Sequence, residues 1–202
     1  MNINRGNFLA AFAALLIAIF LSGCAGTVKN MQAVSPDRAT TAPETGKSMI
    51  VFLRPSTLGF AIQSSVFRIN EDGPVLAGIV AAKMKVAYQL EPGKHLFMVV
   101  GESADFMYAE LDANKTYYAI VTPRMGAWKA RFSLKPVHAA ELGTSQFQGW
   151  VEECEWVVKT NDSDIWAHEN MASIKNKQKK YYANWMEKEE SERPKLLPQD
   201  GK

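Results

Sequence analysis

The chain has 202 residues, 47% of them hydrophobic, with 23 basic and 21 acidic side chains. That is enough for one domain with a real core, and the near balance of charge excludes the strong basic bias of a nucleic-acid binder. Two cysteines, Cys24 and Cys154, are too few to build a disulfide framework.

The first element in chain order is an unbroken apolar run from Phe8 to Leu21. It falls short of the about 20 residues that a helix needs to cross a bilayer core. Arg5 precedes it and small residues follow it, which is the basic, apolar, small-residue order of a secretory signal. The exit reads Leu21-Ser22-Gly23-Cys24 and resembles the lipobox of bacterial lipoproteins at all four positions. The resemblance implies cleavage between Gly23 and Cys24 and removal of residues 1–23. It also implies a diacylglycerol thioether and an added acyl chain, such as palmitate, on Cys24. Covalent lipid is then the whole cofactor expectation, and the membrane is reached through the lipid anchor. Residue 25 is Ala, not the Asp that marks inner-membrane retention in Gram-negative lipoproteins of this kind. The expected location is the outer membrane, facing the periplasm.

Arg5 is the single charged residue before Cys24, so the mature chain carries 22 basic against 21 acidic residues. With Cys24 committed to lipid, Cys154 has no intramolecular partner in an oxidising compartment. Trp150, Cys154 and Val157 fall at helical spacing, so a shared apolar face and a buried thiol are expected there.

Residues 24–47 hold few large apolar side chains and read as a flexible lipidated tether. Such a tether spans about 25 Å on average and roughly 75 Å when stretched. From Met49 the character changes. "MIVFL" reads as a strand buried on both faces, and Ser65–Ile69 as a second strand before the turn-forming "NEDGP". In "MKVAYQL", Met84, Val86, Tyr88 and Leu90 alternate with Lys85, Ala87 and Gln89, a half-buried strand. Pro92 and Gly93 suit the centre of a type II turn. "HLFMVV", "ADFMYAEL" and "TYYAIVTP" follow at short spacing, and in "AWKARFSLKP" Trp128, Ala130, Phe132 and Leu134 alternate with Lys129, Arg131, Ser133 and Lys135. About seven or eight strands with no helix between them predict an antiparallel β-sandwich over residues 48–137.

Residues 138–193 read as a mostly helical extension that packs on the sandwich. A long amphipathic α-helix is expected from Ser163 to about Glu192, with Ala167, Met171, Ile174, Gln178, Tyr181 and Trp185 on one stripe. Residues 194–202 read as a tail. Between Met49 and Pro136, "MIVFLRP", "LEPGKH", "DANKTYYAIV" and "MGAWKARFSL" resemble a family of bacterial lipoprotein β-sandwich domains of undefined function. Asn114 stands where that family favours Gly, and Asn also tolerates the left-handed region. The resemblance implies a fold and carries no activity with it.

The chemistry-bearing residues are sparse. His95, His138 and His168 are the only histidines. His138 and Glu141 form one i, i+3 pair, a weak metal signal without a second pair. No HExxH, GxSxG or Gly-rich phosphate loop occurs. The expectation is a protein that is not an enzyme, has no catalytic residues and holds no metal. It is a binding or scaffold module for another envelope component. Its candidate surfaces are a basic strip at Arg124, Trp128, Lys129 and Arg131, and an aromatic patch at Tyr181 and Trp185 on the helix. Two alternatives stand beside it. A cell-wall hydrolase would gather a histidine with carboxylates, and a carrier of a lipophilic ligand would need an apolar cavity between the sheets.

Overall fold

The computed structural model of the chain describes residues 28–124 and 131–202. The protein is mainly β, with a long helix near its C-terminus. Among the described residues, eleven strands form two sheets. Six belong to the first: β1 (Met31–Val34), β2 (Ser48–Arg54), β5 (Met84–Leu90), β8 (Thr116–Arg124), β9 (Arg131–Pro136) and β10 (Glu155–Lys159), in the order β1-β10-β5-β2-β8-β9. The second contains β3 (Ser64–Asn70), β4 (Gly73–Val80), β6 (Gly93–Val100), β7 (Ala104–Leu111) and β11 (Lys195–Leu196), in the order β11-β7-β6-β3-β4. The α-helices among the described residues are α1 (Ala139–Leu142), α2 (Ser145–Glu153) and α3 (Asn161–Met186).

The sheets are mixed, which corrects the expectation of seven or eight purely antiparallel strands. The chain visits them alternately: β2 in the first, β3 and β4 in the second, β5 in the first, β6 and β7 in the second, β8 and β9 in the first. Strand β8 therefore returns beside β2 in the same direction, pairing Met49 with Thr116 and Leu53 with Ile120. β10 with β5 and β11 with β7 are the other parallel pairs.

Strand β2 is buried along all seven residues, as its continuous apolar run requires. Ile50 and Phe52 point between the sheets, where Phe52 meets Phe97 edge-on at 5.2 Å. Met49, Val51 and Leu53 point the other way, into a second core with Tyr118, Ile120, Phe147 and Cys154. Helix α2 covers that face through Phe147, whose ring packs edge-on against Tyr118 at 5.0 Å.

Helix α3 covers the outer face of the second sheet. Ala167, Ile174 and Trp185 of the expected stripe are buried, and Trp185 lies 5.7 Å from the Phe106 ring and 5.1 Å from that of Tyr108. The helix begins two residues earlier than the sequence suggested, where Thr160 and Ser163 form a capping box. It ends six residues sooner, because Arg193 turns back to donate from Nε and Nη2 to the carbonyls of Lys188 and Met186.

Residues 28–47 and 194–202, read as part of a tether and as a tail, are docked on the domain. Val28 and Met31 are buried, β1 pairs with β10, and Asn30 accepts hydrogen bonds from Thr160 and Ser163. Glu44 and Lys47 continue along the domain, bonded to Gln89 and to the Asn114 amide. Asn114 itself is left-handed (φ 61°), and its side chain accepts from the Gly46 amide. At the other end Leu196 is fully buried, and Lys202 exchanges two backbone bonds with Thr116 at 2.7 and 3.1 Å. The segment read as helical before α3 contains β10, which has too few residues to declare itself without its partners.

Truncating Trp185 to Ala should lower the unfolding free energy by about 3–5 kcal/mol in denaturant titration, the usual range for emptying a buried aromatic site. Met186→Ala next to it, on an exposed side chain, should change stability by less than about 0.5 kcal/mol.

Candidate functional site

Arg54 is the last residue of β2 and is completely buried. A buried guanidinium needs partners for its donors, and among the described residues this one has no carboxylate within salt-bridge distance. It donates instead to the backbone of the loop that follows it: to Ile62 O at 2.6 Å, Leu58 O at 2.7 Å and Gly59 O at 2.9 Å. Its flat face lies 4.9 Å from the centre of the Phe132 ring. Burial pushes the guanidinium pKa down, yet an arginine keeps its proton in proteins, so the charge stays and is solvated by carbonyls.

Pro55 ends the strand by removing a donor from the ladder. Gly59 adopts φ +66°, and a Cβ there would sit 3.6 Å from Nη2 of Arg54. The left-handed residue lets successive carbonyls converge on one guanidinium. Two more bonds close the loop, Leu58 N to Ser56 Oγ at 3.1 Å and Ile62 N to Gly59 O at 3.0 Å. With the polar backbone turned inward, the side chains of Leu58, Phe60 and Ile62 face solvent, and Phe60 is 76% exposed. No charged residue occurs between Arg54 and Arg68. At the foot of the loop lies an open, mostly apolar groove of about 380 Å³, lined by Pro55, Leu58, Ile120, Pro123, Lys135 and Trp150.

The sequence-predicted residues scatter around this feature. Arg124 and Arg131 face each other in the β8–β9 register. Arg124 pairs with the buried Asp105 at 3.3 Å and Lys135 with Glu141 at 2.9 Å. Within β9 the expected alternation holds, with Phe132, Leu134 and Pro136 buried. Trp128 and Lys129 lie outside the described residues, as do Gly23 and Cys24. Tyr181 is half-buried beneath Lys180, 5.5 Å above its ring. Trp185 belongs to the core and offers no surface.

The three histidines occupy separate elements. His168 is exposed on α3. His95 lies in a groove of about 590 Å³ with Tyr108, Glu110, Arg193 and Lys195, its Nε2 2.9 Å from Glu91 O. Its pKa is lowered, chiefly by burial. His138 Nδ1 pairs with Asp200 at 3.0 Å, while the same carboxylate accepts from the Ala139 and Leu197 amides. That cluster fastens the C-terminal segment to the start of α1. Glu141 completes the turn by accepting from His138 N. Among the described residues no group of three or more His, Cys, Asp and Glu side chains is placed to hold a metal ion.

Cys154 is buried, but by a different route from the one its spacing suggested. Helix α2 stops at Glu153, Cys154 caps it, and Val157 belongs to a strand facing the other core. Burial raises the thiol pKa to about 11, against a smaller opposing effect of Lys85. Lys85 lies 4.7 Å from the Trp156 ring centre and donates to Val151 O.

The Arg54 loop was not foreseen. Its signal was present in "LRPSTLGFAIQSS", where three large apolar residues stand among Pro, Gly, Ser and Thr directly after a strand with no wet face.

Replacing Arg54 with Leu should strip the three carbonyls of their donors and let the loop open. Chymotrypsin should then cut after Phe60 at least about tenfold faster than in the unaltered chain, since one bond to a charged donor is worth more than about 1.4 kcal/mol. Cys154 should ignore thiol reagents in the folded protein and react on unfolding. The neutral thiol is the native form, so its contribution to stability is complete below pH 9 and is lost as pH rises through about 11. Cys154→Ala should flatten that alkaline decline in a series of denaturant titrations.

A scan against protein-family models and a search of curated proteins return no match to this chain.

Proposed function

We propose that this chain is a lipid-anchored lipoprotein of the bacterial envelope, held through Cys24 in the outer membrane and facing the periplasm. There it acts as a non-enzymatic binding module. Its two facing sheets are read as a β-sandwich like that of the lipoprotein domains of undefined function that the sequence resembles. The observation that carries the reading is the juxtaposition of anchor and fold. Four residues after the lipobox cysteine, Val28 is already a buried core residue. A chain of that length reaches at most ~14 Å, so the domain works against the membrane surface and not at the end of a long leash.

The binding half of the proposal rests on how the reactive groups are spent. His138 fastens the C-terminal segment, Cys154 is buried as a neutral thiol, and Arg124 neutralises Asp105. Among the described residues, the space between the sheets is filled by Phe52, Val66, Phe97, Val99 and Met107, which argues against a lipophilic cargo there. Among the described residues, three of the six exposed large hydrophobic side chains, Leu58, Phe60 and Ile62, lie in one loop.

Mass spectrometry of the N-terminal peptide from membrane-extracted protein tests the anchor. The expected product begins at Cys24, lacks residues 1–23 and carries the mass of a diacylglyceryl group. A chain that retains Met1–Gly23, or an unmodified Cys24, would overturn it. Cys24→Ala should move the protein out of the membrane fraction.

A further inference from the structure

We infer that the pocket between Arg68 and Glu44 is a receptor for a small zwitterion of the amino-acid type, its carboxylate taken by Arg68 and its ammonium by Glu44. The site lies at the opposite end of β2 from the Arg54 loop, and the inference does not depend on lipid at Cys24.

The pocket sits where β2 begins and β5 ends, with Ser48 paired to Leu90 and Met49 to Gln89. It has a volume of about 300 Å³ and is lined by Glu44, Lys47, Arg68, Gln89, Leu90 and Glu91. Arg68 comes from β3, directly opposite Phe97 of β6. It therefore shares the face that Phe97 turns toward Phe52, between the sheets. Its stem starts inside the sandwich and its end reaches the pocket. Nε is buried without a hydrogen-bond partner. Among the described residues no carboxylate lies within salt-bridge distance of the guanidinium. A charged donor withdrawn from water costs free energy until an acceptor replaces the water.

Glu44 is the complement of Arg68. Its amide donates to Gln89 Oε1 at 2.7 Å, and Gln89 Nε2 donates back to its Oε1 at 3.3 Å. The carboxylate is thus held in place, and among the described residues it has no cation within salt-bridge distance either. The remaining two charges on the wall cancel, because Lys47 Nζ pairs with Glu91 Oε1. His95 steadies the turn that carries Glu91, donating from Nε2 to Glu91 O at 2.9 Å.

Among the described residues, one cation and one anion therefore face the same small volume without pairing. That pattern selects its ligand. A simple anion would gain Arg68 and be repelled by Glu44, and a simple cation would meet the reverse. An α-amino acid carries both charges, and the arginine fork matches its carboxylate with two parallel bonds. The volume stands at the lower limit of the about 300–1,000 Å³ of ligand pockets, which suits one residue or a short peptide. Leu90, buried in the core, offers an apolar wall to its side chain.

Equilibrium dialysis of the full purified chain against radiolabelled alanine tests the site. The expected result is saturable binding that unlabelled alanine displaces and that acetate or ethylamine at the same concentration does not. Arg68→Gln and Glu44→Gln should each weaken it at least about tenfold, the loss of one charge-assisted bond. Arg68→Lys, which keeps the charge without the fork, should retain part of it. Glu44 is exposed, so its variant reads the site even if a change at Arg68 disturbs folding. Alanyl-alanine separates the two sources of such a ligand. Displacement at a lower concentration than alanine assigns the receptor to short peptides, and at a higher one to the free amino acid. No saturable binding of either compound would overturn the inference. So would binding that acetate displaces as well as alanine does, or that survives Glu44→Gln, since both mark a plain anion site. The outcome is independent of the Cys24 peptide mass, so this inference and the lipid anchor can each fail alone.

Discussion

Strand β2 has no solvent face, and the layered structure follows from that. All seven of its residues are buried, and the five apolar ones, Met49 to Leu53, point alternately into two cores. A strand in that position needs an element on each side of its sheet. The second sheet supplies one cover, and α2 with the turn around Cys154 supplies the other. Its two edges are filled by β5 and β8 from different passages of the chain, so β2 cannot be withdrawn without opening both cores. Because the strand is buried to its last residue, whatever occupies position 54 must be buried too.

The same demand for cover explains the chain ends. The second sheet would expose Phe106, Tyr108 and Met98 if α3 did not lie over it, and α3 is itself held at both ends. Asn30 is bonded to the residues that start it, and Arg193 takes the carbonyls that finish it. The segments that lead into and out of the domain are thereby fixed by the helix they stabilise. Leu196 and Asp200 extend this arrangement, tying the last strand to β7 and the final turn to His138.

What was legible in the sequence was whatever one element could announce by itself. "MIVFL" declared a strand with two buried faces, "RFSLKP" declared an alternating one, and the spacing of Ala167, Ile174 and Trp185 declared a helix with one buried side. Strands β1, β10 and β11 were not legible, because four, five and two residues carry no periodicity worth reading and exist only through their partners. Parallel pairing was hidden for a related reason. It depends on the order in which the chain alternates between sheets, which turn chemistry does not encode. Within the candidate site, the exposed apolar residues were visible in the sequence, but Arg54 read as strand punctuation before a proline. Only the geometry shows that its guanidinium and the loop belong together.

Arg54 is an expensive way to fill a core position. Replacing a buried charge by a hydrophobic residue of similar size is often neutral or stabilising in proteins at large, and Phe132 and Gly59 already surround the site with apolar and backbone atoms. Nε of Arg54 has no partner among the described residues, so the arrangement is not optimised for stability. What the guanidinium provides, and an apolar side chain cannot, is a rigid fork that fixes three carbonyls at once. Stability is thus given up for a loop of defined shape, and the shape it defines holds Leu58, Phe60 and Ile62 away from the protein. A loop serving only to connect β2 to β3 could bury or omit those side chains. One that must present them to an apolar neighbour has to satisfy its backbone from within, and a buried arginine at its base is a direct physical solution.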